Sequence, residues 1–147
     1  MIWEKLLQFL DMILRNNKMG LNYKYNFEDV GKDCIIGKLS LEKKDGQIKQ
    51  GIAGLGVKIT PEKIILGYDN DNALWVDPKY QNKGHGYNLR EKIIEMSIKI
   101  CEEKDFHPKK IVSEIVKGNG IMEKIMKKSG FQKEKEDNEI ITYFKPI

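Results

Sequence analysis

Long apolar runs are missing from this chain. Between Met1 and Leu14 the uninterrupted apolar runs are two or three residues long and are broken by Glu4, Lys5 and Asp11. A bilayer-spanning helix needs about 20 consecutive apolar residues, so no membrane span is expected, and the start does not resemble a secretory signal. Cysteine is scarce. Cys34 and Cys101 lie far apart, and no CxxC or Cys/His cluster accompanies them. A zinc site is therefore not expected, a single disulfide is allowed without being implied, and a reduced, cytoplasmic chain fits. Arginine is nearly absent, with 24 lysines against two arginines. Proteins that read nucleic acid favour arginine forks and clustered basic faces. Here the lysines are spread among Glu and Asp at a net charge of +4, which reads as a solvated surface. No linker, repeat or low-complexity tract divides the 147 residues. They fit one domain, 1–147, large enough to bury roughly 70% of its unfolded surface.

What is present is periodicity. Ile2, Leu6, Phe9 and Ile13 fall on one helical stripe, and Trp3, Leu7, Leu10 and Leu14 on its neighbour, which predicts a helix from about residue 2 to 16, ending near Asn16-Asn17. Such a face packs on the core, pairs with a second copy in a homodimer, or lies on a membrane surface. The polar side lacks the strong basic character of interfacial helices, which favours the core. From Leu21 the period changes to two. Tyr23, Tyr25 and Phe27 alternate with polar residues, and Cys34–Leu41 reads as another strand. Lys44-Asp45-Gly46-Gln47 is a turn, Ile52–Ile59 a glycine-interrupted apolar run, and Thr60-Pro61 a break. Lys63–Tyr68 and Ala73–Val76 are expected as two more strands joined by the polar turn Asp69-Asn70-Asp71-Asn72.

A loop, Gln81-Asn82-Lys83-Gly84-His85-Gly86, then opens a long amphipathic helix from Tyr87 to about Lys104. An apolar strand feeding a glycine-bearing turn at a helix start gathers backbone N–H groups, and such places hold phosphates. Gly84 and Gly86 let an anion approach the backbone, and Lys83 adds a cation. Two other phosphate loops are excluded. A P-loop needs Gly-Lys-Ser/Thr, whereas Gly86 is followed by Tyr87-Asn88. A dinucleotide loop needs a parallel βαβ unit, whereas the preceding strands read as antiparallel. Downstream, Lys110–Val116 is a strand and Asn119-Gly120 starts a second helix. Gly130 is placed as its left-handed stop with apolar Phe131 after it, and Phe131–Glu136 pairs with Ile140–Lys145 across Asp137-Asn138.

The stretch Val76-Asp77-Pro78-Lys79-Tyr80-Gln81-Asn82-Lys83-Gly84-His85-Gly86 resembles the acetyl-CoA loop of the GNAT N-acetyltransferase superfamily, whose pattern is valine-x-proline followed by Gln/Arg-x-x-Gly-x-Gly/Ala. Asn119, followed eleven residues later by Gly130-Phe131, resembles that family's second conserved segment. The resemblance covers about residues 64 to 147. It implies an α+β (mixed α/β) fold with a central, mostly antiparallel, splayed sheet flanked by helices, here with an atypical N-terminal helix. It also implies an acetyl-CoA-binding core over 64–147 and a divergent acceptor-side region over 1–50.

The implied activity is direct transfer of acetyl from acetyl-CoA to a primary amine on a small molecule, a protein or an aminoacyl-tRNA. The positive net charge argues against a polycationic drug. Cofactor contacts are implied for Trp75, Val76, Gln81, Asn82, Lys83, Gly84, His85, Gly86, Tyr87, Asn88 and Asn119, with the backbone of Trp75 and Val76 pairing with the pantetheine arm in the gap between Ala73–Val76 and Lys110–Val116. Asp71 and Asp69 are the base candidates, with a plain turn as their alternative. The proton donor that the family often places seven residues after the asparagine is here Met126, which has no proton to give. That leaves Tyr143, Tyr80, a water, unassisted departure of the thiolate, or a non-catalytic acyl-CoA-binding module.

Overall fold

The computed structural model describes residues 2–14 and 20–147, with the side chains of 4–14 and 20–147. The expected helix end at Asn16-Asn17 and the side chains of Ile2 and Trp3 lie outside the described residues. Helix α1 spans Ile2–Ile13. Its Leu6 and Leu10 are buried, Phe9 and Ile13 pack at the core edge, and Leu7 and Met12 are exposed. The helix lies against a second one rather than standing free. Polar contacts help to fix it: Tyr25 Oη donates to Asp11 Oδ1 at 2.9 Å and approaches the Leu7 carbonyl at 3.4 Å, and Lys92 Nζ donates to the Ile13 carbonyl at 3.0 Å.

Strands β1 (Leu21–Gly31), β2 (Cys34–Asp45) and β3 (Ile48–Ile59) form an antiparallel meander. Period-two patterning makes it: Ile35, Leu39 and Leu41 of β2 and Leu55, Val57 and Ile59 of β3 all face the core at 2% exposure or less. The sheet continues through β4 (Lys63–Leu66), β6 (Lys110–Val116), β8 (Ile140–Pro146) and β7 (Gln132–Glu136), while β5 (Trp75–Val76) also pairs with β3. Every pairing is antiparallel except β4 with β6. Helix α2 (His85–Lys104) buries Leu89, Ile93, Met96 and Ile100 over β2 and β3, as its spacing predicts. Helix α3 (Gly120–Lys128) ends as expected. Gly130 at φ +79° lets Phe131 N–H donate to the Met126 carbonyl at 2.9 Å and Gly130 N–H to the Lys127 carbonyl at 3.2 Å. Cys34 and Cys101 are both free thiols, and burial, then the charge of Glu102, pushes Cys101 up to about 11.

The two strands expected at Lys63–Tyr68 and Ala73–Val76 are present in shorter form, as Lys63–Leu66 and Trp75–Val76, and they do not pair with each other. β4 and β5 lie along the same neighbour, β3, in the same direction, as one strand interrupted over residues 67–74. Both ends of the excursion are held at Gly56, whose N–H donates to the Asn72 carbonyl at 2.8 Å and whose carbonyl accepts from Gly67 at 2.9 Å. Space is the physical reason. On β3, a methyl group at Gly56 would lie 2.5 Å from Asn72 Cβ, and one at Gly54 would lie 2.6 Å from the Trp75 indole nitrogen. With no β-carbons there, the chain can leave the sheet and return across them. The departure of the chain after Leu66 also opens the sheet. β6 is paired with β4 only through Ser113, so Glu114–Val116 keep β8 on one side and have no strand on the other. The expected splay is present.

Candidate functional site

The loop before α2 is built to expose backbone donors. Asp77 caps a single 3-10 turn at Pro78–Tyr80 through its carboxylate, which accepts from Lys79 N–H at 2.9 Å. Asn82 then adopts φ +62° and Gly84 φ +85°. Alternation of left-handed and ordinary backbone turns successive N–H groups into one concavity. Gly84 is the N-cap of α2 and offers no side-chain acceptor to its first turn. Gln81 N–H reaches the Pro78 carbonyl and Asn88 N–H the Gly84 carbonyl, but no acceptor among the described residues serves the N–H groups from Asn82 to Tyr87. They sit at the positive end of a 20-residue helix.

This row of donors forms one end of a cleft of about 620 Å³. Its walls are β5 and the loop on one side and α3 on the other, the latter contributing Ile121, Met122, Lys124, Ile125 and Lys128. The open edge of β5 faces it. Asp77 N–H donates to the Ile52 carbonyl at 2.7 Å, so by strand alternation the N–H and carbonyl of Val76 point away from β3. A smaller cavity of about 170 Å³ lies in the gap between the excursion and the end of β6. Leu74, Asn119 and Met122 line both, so the two are continuous neighbours.

The chain folds as the resemblance implies. Solved structures of acetyltransferases match it with high probability. The ribosomal-protein-S18-alanine N-acetyltransferase of Escherichia coli is 18% identical, over 80% of this chain and 72% of that one, at a TM-score of 0.54. The PaiA N-acetyltransferase of Thermoplasma acidophilum, in complex with coenzyme A, is 18% identical over 78% of this chain and 62% of that one, at 0.56. A GNAT family acetyltransferase from Elizabethkingia anophelis with acetyl-CoA bound is 12% identical over 85% of this chain and 98% of that one, at 0.55. The fold is that of the GNAT acetyltransferases. No protein-family model matches the sequence, and no curated protein matches it by sequence.

Within this GNAT fold the predicted site residues are placed unevenly. Trp75, Val76, Gln81, Asn82, Gly84, His85, Gly86, Tyr87 and Asn119 all line the larger cleft; Lys83 and Asn88 do not. Lys83 stands over the Tyr80 ring, 5.6 Å from its centroid, and with Tyr80 and His85 borders a separate surface hollow. Gln81 turns its side chain back, donating from Nε2 to the Val76 carbonyl at 3.0 Å. Asn119 is the N-cap of α3, its Oδ1 accepting from Met122 N–H at 3.2 Å, which leaves its amide nitrogen and the second lone pair of Oδ1 for a ligand. Trp75 is half exposed, its indole lying across Gly51 and Gly54.

The acid–base candidates divide as well. Asp69 lines the smaller cavity, with Oδ1 accepting from both the N–H and the side-chain amide of Asn72 at 2.9 and 2.7 Å. Asp71 is exposed and lines neither cavity. Met126 is wholly buried beneath the cleft and reaches neither space. Tyr143 is buried on β8 and lines neither, while Tyr80 lines the larger. Sequence reasoning passed over Tyr68 and Glu114, which line the smaller cavity, and Lys124 and Lys128, which line the larger. The lysines carried a readable signal, since residues 121, 124, 125 and 128 share one helical face. Tyr68 is held above its ordinary range by burial first and then by Asp69, Cys34 and Glu28, so it keeps its proton. Among the described residues no cluster of side chains could hold a metal ion, and no helix is long and apolar enough to cross a membrane.

Proposed function

We propose that the chain binds acetyl-CoA in the larger cleft and transfers acetyl directly to a primary amine. The observation that carries this reading is the run of N–H groups from Asn82 to Tyr87 left without an acceptor among the described residues, opening into a cleft that the outward edge of β5 also borders. The residues present fit the group. Gly84 faces open space, with only Asn88 Nδ2 4.0 Å from where a β-carbon would sit, so a pyrophosphate could approach the backbone there. Lys124 and Lys128 stand on the opposite wall as cations for phosphate. Ile121, Ile125 and Leu74 supply an apolar lining for an extended arm.

Bound acetyl-CoA supplies a thioester carbonyl. The Val76 N–H, directed into the cleft, is the donor that would polarise it. In the transfer a C–N bond forms as a C–S bond breaks; the amine gives up one proton and the departing sulfur takes one. Asp69, with Oδ2 free of hydrogen bonds, and Glu114 are the carboxylates at the smaller cavity that would draw a cationic amine and accept its proton through water. Tyr68 is the phenol there that can return one. The acceptor is a small amine, a protein amine or an aminoacyl-tRNA. The same reading takes residues 1–147 as one cytoplasmic domain, supported by two unpaired cysteines, one of them buried.

Burial of Met126 away from the cleft favours a second reading, an acyl-CoA-binding module without turnover. Two measurements separate the cases. Calorimetry with CoA should show binding that is lost in Gly84→Glu; equal affinity in both proteins would sink the cofactor reading. Thiol release from acetyl-CoA across a panel of amines should exceed the rate without acceptor, and a flat response beside intact CoA binding would favour the module.

A further inference from the structure

Arg90 is one of only two arginines in the chain, and it occupies the apolar face of α2 beside Leu89 and Ile93. It is 1% exposed. Nη1 donates to Ser113 Oγ at 3.1 Å and Nη2 meets the Met126 sulfur at 3.4 Å; the Phe131 ring lies under the guanidinium, 5.0 Å from Cζ. Nε has no partner. Among the described residues no carboxylate forms an ion pair with it. The charge that acts on it most is that of Glu91, its neighbour along the helix, whose own Oε1 is buried without a hydrogen bond. Burial lowers its pKa to about 10, which still leaves a cation at neutral pH.

This is an unusual environment for a guanidinium. Its fork of N–H donors suits a carboxylate, and a neutral hydroxyl with a thioether is a weak substitute. A buried charge with no counter-charge is costly to keep. Arg90 and Ser113 both line the smaller cavity, where Tyr68 and Asn119 are also found. The carboxylates that line that cavity, Asp69 and Glu114, are exposed residues, and among the described residues neither forms an ion pair with Arg90. The missing counter-charge would therefore have to arrive with a ligand. A cavity of about 170 Å³ has room for a group of several heavy atoms, since one water needs only about 10–15 Å³.

We infer that Arg90 and Ser113 receive a substrate carboxylate in the smaller cavity, at the end of the acyl-CoA cleft. This rests on the reading of the larger cleft given above. The carboxylate has two sources: the terminal group of a dicarboxylic acyl thioester, or the α-carboxylate of an amino-acid acceptor. In either case it is bound and not consumed, and the bonds made and broken in the transfer are unchanged.

Calorimetry on the full chain tests this with CoA, butyryl-CoA and succinyl-CoA, the last two differing by a methyl against a carboxylate. Each of the twenty amino acids is compared with its amide in the presence of CoA. The wild type should prefer the carboxylate in one arm by about tenfold, as expected for a hydrogen-bonded charge pair, and the arm that responds names the source. Arg90→Met should abolish that preference while CoA binding persists, and Arg90→Lys should retain part of it. CoA binding without a carboxylate preference in either arm overturns the inference and leaves the cleft reading intact. So does a preference that survives in Arg90→Met. Failure of CoA itself to bind overturns both. If Arg90→Met does not fold, the wild-type ligand pairs and Arg90→Lys still decide.

Discussion

The meander of β1 to β3 and the segment from β4 to α3 are built from similar residues to opposite ends. In the meander neighbouring strands pair over nearly their whole length, with register shifts only near Asp29–Gly31 and Leu41–Glu42, and the buried side chains are aliphatic, beside buried glycines on β2 and β3. In the later segment a strand is interrupted, Asn82 and Gly84 take left-handed backbone, and among the described residues a row of N–H groups has no acceptor and a buried arginine has no counter-ion. Unsatisfied polar groups are costly to a fold that gains nothing from them. They are concentrated in one segment, beside both cavities, where the proposed ligand would complete the bonding. The meander supplies stability that this segment spends on being incomplete.

Substitutions can break that contrast, beginning with the largest effect. Leu39→Ala in β2, at a fully buried position, should lower unfolding free energy by about 2–5 kcal/mol in denaturant titration and leave the CoA affinity of the folded fraction unchanged. Loss of CoA affinity would show that the two regions are not separable. Gly84→Glu should do the reverse, weakening CoA binding by about 100-fold, roughly 2.8 kcal/mol, by placing a carboxylate among the donors. Gly84→Ala measures the part owed to backbone strain at φ +85°. Asn119→Ala should cost about 1 kcal/mol of stability through the lost cap on α3; a change in CoA affinity with no change in stability would reassign it as a ligand contact. Lys124→Gln and Lys128→Gln should each weaken CoA binding about threefold at low salt, an effect that fades as salt rises above about 0.1 M. Persistence at high salt would point to packing, as Lys128 lies 4.1 Å from the Tyr87 ring centroid.

Much of this was legible beforehand, because it is local. The stripe Leu89, Ile93, Met96, Ile100 dictates a helix lying on a sheet, and Gly130-Phe131 dictates how α3 stops, since only the residues of one turn are involved. The concavity at Gln81–Gly86 follows from its glycines and the helix after it. What could not be read depends on partners far along the chain. Nothing in Lys63–Leu66 or Trp75–Val76 says that both lie on β3; that depends on the bare surface of Gly54 and Gly56. Asn119 and Gln81 both line the cleft, and only the fold shows that Asn119 Oδ1 also serves the helix start and that Gln81 Nε2 reaches Val76.

By itself, then, the order of residues determined the elements, their sequence and the place where an anion could sit, because hydrophobic period, turn chemistry and helix ends act over a few residues. Tertiary structure alone decided that the sheet opens after Leu66, that Met126 is sealed beneath the cleft, and that Arg90 is carried into the interior next to Ser113. These outcomes follow from which surfaces meet when helices close over a sheet, and packing of that kind joins residues 23 and 36 positions apart that no local pattern connects.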